Sequence, residues 1–253
     1  MSDPHDDPEE APEVSFIMPC YNEEEVIPQT IPDLCDAFAA RGHRLQLVAT
    51  DNGSADRTGE IIGELAQRYP ITLHRVEPNE GYGNGVLKSF AVCRAPWIGI
   101  IPADGQVDAE DVVRLREAVK HTTSPTIGKV RRRFRLDGFR RKVISIGYNG
   151  FVRALWPRLD SIDINGSPKL LHKDAIARMQ LESKDWFLDP EIMIKGHYLG
   201  LRVLEMNVFA RMRGNGLSHI RATTCWEFFW SIVQFKFGGY ARWKREQTDA
   251  RLA

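Results

Sequence analysis

Four short polar stretches contain most of the side chains that could do chemistry in this chain of 253 residues. Their sequences are YNEE at 21–24, DNGSAD at 51–56, NEGYG at 79–83 and DGQ at 104–106. Carboxylate and carbonyl oxygens are the ligands that Mg²⁺ prefers, and a glycine-rich loop lets the backbone approach a ligand closely. Each stretch alone is weak evidence for a site, so the interpretation depends on where the fold places them.

Asp104 is the candidate metal ligand, although Pro102 stands where a second carboxylate would help. A divalent cation is commonly held by one or two protein carboxylates, while substrate phosphates and waters complete the octahedron. Asp104 could therefore be a ligand of Mg²⁺ or Mn²⁺, with the carbonyl oxygen of Gln106 as a weak second ligand, and the local sequence alone does not decide this. The alternative is that Asp104 caps a helix that begins near Asp108.

Apolar runs alternate with helical patterns before each polar stretch, as in a parallel α/β sheet. The predicted strands are 14–19, 45–51, 71–76 and 97–104, and helices are predicted after 22, over 56–69, after the 79–85 loop and from about 108. Asn22 is the expected cap of the first helix. Because ligands bind at the carboxyl ends of such strands, we expect the polar stretches to share one edge of the sheet.

The second half of the chain shows a weaker pattern. Helices are predicted at 139–156, 174–180 and 189–199, and short strands near 168–172 and 201–208. No linker rich in Gly or Ser separates the two halves. With 43% hydrophobic residues the chain can bury a substantial core, so we expect one main α/β domain.

The ends of the chain and its cysteines indicate where the protein works. Residues 1–13 carry six acids and no Lys or Arg, which predicts a disordered acidic leader. The four cysteines lack metal-ligand spacing and no cleavable apolar segment precedes them, so we expect reduced thiols in a cytoplasmic protein. The chain contains no run of about 18 apolar residues, so the sequence predicts no transmembrane helix.

The block from 225 to 245 is rich in aromatic residues and ends in Arg242, Lys244 and Arg245. This composition suits a helix that lies in a membrane interface and would give peripheral contact with the cytoplasmic face of a membrane. A C-terminal helix that packs on the core with its basic end in solvent would show the same pattern. The sequence leaves both interpretations open.

A basic run from Lys129 to Lys142 carries six arginines against the single acid Asp137. Such a run is normally a solvated surface or a nucleic-acid patch. It lacks interleaved stacking aromatics beyond Phe134 and Phe139, which argues against nucleic acid. A phosphate ligand is the further interpretation, because the planar guanidinium can bind phosphate through two N–H groups.

The ordered set of polar stretches resembles the family 2 glycosyltransferases of the GT-A fold, and among them the polyprenyl-phosphate sugar transferases similar to dolichyl-phosphate mannose synthase. Further matching segments are DINGSPK at 163–169, DPE at 189–191 and the R-x-x-G-x-S pattern at 213–218. The resemblance implies one GT-A domain over 14–220, a mixed and mostly parallel sheet flanked by helices. An amphipathic segment over 221–253 would follow it.

The resemblance also implies roles for individual residues. The expected nucleotide-sugar contacts are Pro19, Tyr21, Glu23, Asp51, Gly81 and Asp104. The expected acceptor-phosphate contacts are Arg131, Arg141, Ser145, Lys169 and Arg213. Asp104, Arg141 and Asp189 would be the catalytic residues, with Asp189 near the sugar.

Without the resemblance, several of these residues have simpler explanations. Asp51 could cap the turn that follows its strand, Asp189 could be a helix cap and Arg213 a loop arginine. The chain also departs from the family pattern, because Asn52 and Pro102 each replace a usual acid. Asp51 and Asp104 therefore carry the predicted donor and metal contacts.

The implied activity is inverting transfer of a mannose- or glucose-type sugar from a GDP- or UDP-linked donor to a polyprenyl phosphate. A bound Mg²⁺ or Mn²⁺ would stabilise the leaving diphosphate. A second interpretation is a soluble GT-A glycosyltransferase with a hydroxyl acceptor and Asp189 as general base. A third is a binding protein whose metal site has decayed.

Overall fold

The structure is a computed structural model that describes residues 11–134, 139–209 and 230–252, without the side chains of 132–146, 246 and 248–252. Seven strands form one sheet: β1 Val14–Cys20, β2 Leu45–Asp51, β3 Ile71–Arg75, β4 Trp97–Ile100, β5 Thr126–Phe134, β6 Lys169–His172 and β7 Arg202–Phe209. Their order is β3-β2-β1-β4-β6-β5-β7, and β6 runs antiparallel to β4 and β5. The predicted mixed, mostly parallel sheet is confirmed.

Helices cover both faces of this sheet. They are α1 Ile27–Ala40, α2 Thr58–Leu65, α3 Tyr82–Ser89, α4 Ala109–Lys120, α5 Phe139–Leu155, α6 Lys173–Met179, α7 Leu188–Tyr198 and α8 Tyr240–Leu252. Helical residues 230–234 and a π-helical turn, Phe235–Gly239, precede α8. The helices α1, α2 and α4 contribute to one buried cluster and α3, α5 and α7 to the other.

The central strands are apolar along their whole length because helices bury both faces. Every residue of β2 is buried, and six of the seven residues of β1 are. The predicted strand 97–104 is shorter, since β4 ends at Ile100. Ile101 still donates its amide to Ile17 O at 2.9 Å, but Pro102 has no N–H with which to continue the pairing.

Two local predictions about helix starts are wrong. Asn22 does not cap α1, which begins at Ile27 with Pro28 in its first turn and no acid there. The glycine stretch is not wholly a loop either, because α3 begins at Tyr82. Both errors arise because contacts between distant loops, rather than local sequence, determine these starts.

The N-terminal boundary also differs from the expectation. The sequence predicts Glu13 as part of the acidic leader, yet its carboxylate lies 3.3 Å from His43 Nδ1 and 3.5 Å from Arg116 NH2. The described cysteines Cys20, Cys35 and Cys93 are free thiols. In the described ranges, no helix is long and apolar enough to cross a membrane.

Candidate active site

The loops that follow β1 and β2 are hydrogen-bonded to each other at the carboxyl edge of the sheet. Asn22 adopts φ of 54°, a left-handed conformation that asparagine tolerates, and its Oδ1 accepts the Ala55 amide at 2.9 Å. The amides of Asn22 and Glu23 donate to Ser54 Oγ at 3.2 Å and Thr58 Oγ1 at 2.9 Å. These bonds hold the two predicted donor-binding loops in one fixed corner.

Asp51 lies at the end of β2 and is 8% exposed. Its Oδ1 accepts the Ser54 amide at 3.0 Å, which is the turn-capping role given above as the alternative. A Cβ added at Gly59 would lie 2.3 Å from Oδ2, so the absence of a side chain at Gly59 leaves room for this carboxylate. The contact of Asp51 with a nucleotide stays a prediction.

An open groove of about 580 Å³ lies between the loops that follow β2 and β3. It is lined by Gly53, Ser54, Glu77, Pro78 and Asn79. Pro19 is partly buried in β1, whereas Tyr21 is 42% exposed just beyond that strand. The groove thus opens among the loops at the carboxyl edge of the sheet, the edge that carries the predicted donor contacts.

The side-chain amide of Asn52 binds the glycine loop, in the position where the family usually has an acid. Its Nδ2 donates to Asn79 Oδ1 at 3.2 Å and to Gly81 O at 3.1 Å. An acid at this position could not make these two bonds, because an ionised carboxylate only accepts. The replacement of the usual acid by Asn52 therefore has a structural role in this chain.

The glycines of this loop are needed because another segment packs directly on them. Residues 180–187, here called the 180–187 segment, cross the loop. A Cβ added at Gly81 would lie 2.5 Å from Lys184 O, and one at Gly83 2.2 Å from Ser183 O. Gly81 also has φ of 114°, and the Asn84 amide donates to Lys184 O at 2.9 Å. The predicted donor role of Gly81 remains a prediction, and close backbone packing explains its residue type.

Gly83→Ala is expected to lower the free energy of unfolding by about 1–3 kcal/mol, because the new methyl group would overlap the carbonyl oxygens of the 180–187 segment. Chemical denaturation measures the change. Gly63→Ala is the matched control, since its Cβ would meet only Leu73 Cδ2, at 4.0 Å. That variant should be unchanged or more stable by up to about 1 kcal/mol. Equal stability of the two variants would contradict the packing explanation.

Asp104 occupies the loop between β4 and α4. Its Oδ1 accepts the Gln106 amide at 3.2 Å. The cap of α4 is Asp108, which accepts the Glu110 amide at 3.1 Å, so the alternative that Asp104 caps this helix is wrong. Asp104 is partly exposed, whereas Gln106 is only 4% exposed. Asp104 is therefore the more accessible of the two predicted metal ligands.

Asp189 and Lys169 form a buried ion pair. Lys169 Nζ donates to Asp189 Oδ1; the lysine is fully buried and Asp189 is 7% exposed. Asp189 lies in the first turn of α7, where the positive end of the helix also favours a carboxylate. Because Lys169 points at Asp189, this geometry gives no support to its predicted contact with an acceptor phosphate.

Two tyrosines adjoin this pair. Burial, and then the negative charge of Asp189, raises the pKa of Tyr82 and of Tyr148 well above the ordinary value. Both hydroxyls therefore remain protonated at neutral pH. Trp186 lies flat on Tyr82 with 4.6 Å between ring centroids, so this ring of the 180–187 segment packs on the start of α3.

Lys129 is a second buried lysine, which the sequence placed only in the basic run. It lies opposite Lys169 in the pairing of β5 with β6. Its Nζ donates to Ser161 Oγ at 2.9 Å, to Asp163 O and to Glu205 Oε1 at 3.3 Å. Glu205 in turn accepts the Asp163 amide at 3.2 Å. Lys129 and Glu205 thus fix the start of the DINGSPK segment.

The stability of the protein is expected to rise with pH through Lys129. Burial, and then the charge of Lys169, lowers its pKa from 10.5 to about 8. Between these values the unfolded chain binds more protons than the folded protein, so the free energy of unfolding increases with pH. The increase is about 1.4 kcal/mol for each unit of pKa difference. Chemical denaturation at pH 7 and pH 10 measures this increase in wild type and in Lys129→Met. The increase should appear in wild type alone. An equal increase in both proteins would contradict the role of Lys129.

The structure describes the side chains of only some of the predicted acceptor-phosphate residues. Residues 129–134 of the basic run lie within β5 itself. Arg131 is partly buried in β5 opposite Asn207. Arg141 and Ser145 lie in α5, one helical turn apart, but their side chains are outside the described part, as is the whole of Arg213. Their phosphate contacts stay predictions.

Residues 15–187 match the family described as Glycosyl transferase family 2. The chain belongs to this family. It is therefore a glycosyltransferase, and the sheet order with helices on both faces is its GT-A fold. Its solved structural neighbours include glucosyl-3-phosphoglycerate synthase of Mycobacterium tuberculosis, crystallised with Mn²⁺, UDP and phosphoglyceric acid. That structure superposes with a TM-score of 0.72 at 16% identity and covers 90% of this chain and 79% of its own, which shows the fold alone.

Relatives of this glycosyltransferase include enzymes named for polyprenyl phosphates. The dolichol-phosphate mannosyltransferase of Pyrococcus furiosus is 28% identical over 87% of this chain and 63% of its own length. The undecaprenyl-phosphate 4-deoxy-4-formamido-L-arabinose transferase of Edwardsiella ictaluri is 28% identical over 55% of this chain and 43% of its own. The chain thus spans less than two thirds of either relative. An uncharacterised glycosyltransferase of Mycobacterium bovis matches over 97% of its length at 24% identity.

Sequence reasoning missed the buried lysines as a feature of this glycosyltransferase. Lys129 and Lys195 are 0% and 1% exposed, and each pairs with a carboxylate. Lys195 lies 2.6 Å from Glu191, four residues earlier in α7. The signal was available for Lys195, because an acid and a lysine at this spacing meet on a helix in an otherwise apolar stretch. For Lys129 the partner Glu205 is 76 residues away.

Proposed function

We propose that this glycosyltransferase transfers a mannose- or glucose-type sugar, with inversion, from a nucleotide sugar to the phosphate of a polyprenyl phosphate. The observation that carries the proposal is the buried ion pair of Asp189 with Lys169. A hydroxyl acceptor needs a general base near the sugar, and a carboxylate already held by a buried ammonium serves poorly in that role. A phosphate acceptor is an anion at neutral pH and needs no such base. The names of the two polyprenyl-phosphate relatives support the same acceptor.

The donor is proposed to bind along the edge formed by the loops after β1 and β2. The groove lined by Gly53, Ser54 and Asn79 would take the base and ribose, and the Asp51 carboxylate would accept hydrogen bonds from them. Tyr21 would border the base from the rim, while Pro19 and Glu23 shape the floor. The sugar would then extend towards Asp189, whose pairing with Lys169 keeps the carboxylate in place to accept a hydrogen bond from a sugar hydroxyl.

The residues around Asp104 fit a divalent cation that the donor itself completes. Asp104 offers one partly exposed carboxylate, and the described ranges contain no group of three or more His, Cys, Asp or Glu that could hold a metal ion alone. Bound Mg²⁺ or Mn²⁺ would neutralise charge on the leaving diphosphate. Asp104 would hold the cation, and binding should be weak until diphosphate oxygens join it.

The acceptor side is proposed to use Arg141 and Ser145 of α5, with Arg131 and Arg213, as phosphate contacts. Arg141→Gln is expected to raise the KM for polyprenyl phosphate roughly 10- to 100-fold, because a hydrogen bond to a charged group is lost. The KM for the donor should be unchanged. Arg114→Gln, at an exposed arginine of α4, is the control. Equal effects of Arg141→Gln on both substrates would contradict an acceptor role.

A membrane contact is proposed through the outer side of residues 230–245. Trp230 and Phe237 are 51% and 77% exposed there, and the basic residues Lys244 and Arg245 follow them. Exposed aromatic residues beside basic ones suit the interface of an anionic bilayer. This contact would bring the glycosyltransferase to its lipid acceptor.

The test of this function is a transfer assay with a panel of labelled GDP- and UDP-linked sugars. Each donor is incubated with polyprenyl phosphate, with and without Mg²⁺ or Mn²⁺. Label in an organic-extractable product that depends on the cation is expected for at least one donor. Label that appears only in a water-soluble glycoside would contradict the proposed acceptor.

A further inference from the structure

We infer that the C-terminal helical residues 230–252 are a positioning element of the donor side of the site. Their inner side holds the 180–187 segment, which in turn covers the glycine loop and leads into Asp189. This inference goes beyond a membrane contact, which concerns only the outer side of the same residues. It rests on four groups of contacts between described residues.

The inner side of the helix is packed firmly into the protein. Ile232 is fully buried and Trp243 is 5% exposed. The ring of Phe235 lies 5.2 Å from that of Phe187, the last residue of the 180–187 segment. These apolar contacts favour the packed interpretation of the helix, while Phe237 on the outer side stays exposed.

Polar contacts tie the same helix to the 180–187 segment at both ends. Ser231 Oγ donates to Asp185 Oδ2 at 3.3 Å, and Arg242 NH2 lies 2.5 Å from Glu182 Oε2. Gln247 Nε2 donates to Gln180 Oε1 at 3.1 Å. The contacts therefore span the segment from its first residue to Asp185.

Lys195 of α7 contacts both the C-terminal helical residues and the 180–187 segment. Its buried ammonium lies 5.9 Å from the ring centroid of Phe235 and 5.7 Å from that of Trp243, which favours a cation–π interaction with both. The same Nζ donates to Gln180 O at 2.7 Å and pairs with Glu191. One cation thus joins the C-terminal helix, α7 and the start of the segment.

The segment transmits this position to the site. Glu191 accepts the amide of Glu182 at 3.1 Å and that of Ser183 at 2.9 Å, while Lys184 O accepts the Asn84 amide at 2.9 Å. A loosened helix would free the segment from the glycine loop, since Gly83 has no side chain to hold it. Residues 230–252 are therefore expected to determine how tightly the donor edge is closed.

Amide hydrogen exchange tests the inference without any assay of transfer. In Trp243→Ala, exchange within 180–187 and 81–85 should be at least about tenfold faster, because helix contacts no longer protect these amides. Exchange in β1 and β2 should not change. Phe237→Ala, on the exposed side of the same helical stretch, is the matched control and should exchange like wild type. Unchanged exchange at 180–187 in a folded Trp243→Ala would overturn the inference.

If Trp243→Ala does not fold, charge reversal of the Arg242–Glu182 pair tests the same inference. Arg242→Glu and Glu182→Arg alter exposed residues and should each speed exchange at 182–185 about two- to fivefold, and the double variant should restore it. The same exchange in all three variants would overturn the inference. Because exchange needs no substrate, a protein that transfers no sugar would refute the proposed function and leave this result intact.

Discussion

Asp104→Asn is expected to lower the rate of sugar transfer about 100- to 1,000-fold. Asp104 is a partly exposed carboxylate in the loop between β4 and α4, and Pro102 occupies the position of a second acid. An amide would hold a divalent cation less tightly, so charge on the leaving diphosphate would be poorly neutralised. Initial rates over a range of Mg²⁺ and Mn²⁺ concentrations measure the effect, and high concentrations should recover part of the rate.

Asp108→Asn is the matched control for this variant. Asp108 caps α4 four residues further on, and asparagine caps a helix as well as aspartate does. The control should therefore keep both its stability and its rate. A wild-type rate for Asp104→Asn at every cation concentration would contradict the role of Asp104 as the protein ligand.

Lys169→Met is expected to lower the free energy of unfolding by about 3–5 kcal/mol. The substitution leaves the Asp189 carboxylate 7% exposed and without its ammonium partner. Replacing both residues, in Lys169→Met with Asp189→Leu, should recover most of the loss, since no buried charge then remains unpaired. Chemical denaturation of the single and double variants measures the change.

Activity separates the two roles of this ion pair. The double variant should fold but transfer sugar slowly, because it lacks the carboxylate that is proposed to orient the sugar. If the double variant is as unstable as Lys169→Met, packing rather than charge pairing would account for the loss. Lys184→Met is a suitable control, because its partner Glu80 is 42% exposed and surface pairs contribute little.

Much of the fold could be predicted because its signals are local. The continuous apolar runs of β1 and β2 indicated strands buried on both faces, and the polar residues after them fell at the predicted edge. Asp51 accordingly ends β2 as predicted, whereas Asp104 lies four residues beyond the end of β4. The helices α5, α6 and α7 lie within one or two residues of their predicted bounds.

The remaining features depend on contacts between residues far apart in the chain. Asn22 adopts a left-handed conformation because Ala55 and Ser54 bond to it across two loops. Gly83 is explained by a carbonyl oxygen 100 residues away in sequence, at Ser183. Local propensity contains no information on such partners, so the fixed donor corner and the covered glycine loop emerged only from the structure.

The acceptor is proposed to be a phosphate, and a direct comparison of two acceptors tests this proposal. The protein is incubated with Mg²⁺ and a labelled nucleotide sugar that serves as donor in the panel. The acceptor is either a polyprenyl phosphate or the polyprenol of the same chain length. The rates of label transfer into organic-extractable product are then measured. We predict transfer to the phosphate and none above background to the alcohol, because Asp189 is held by Lys169 and no strong base serves a hydroxyl. Equal or faster transfer to the alcohol would contradict the account.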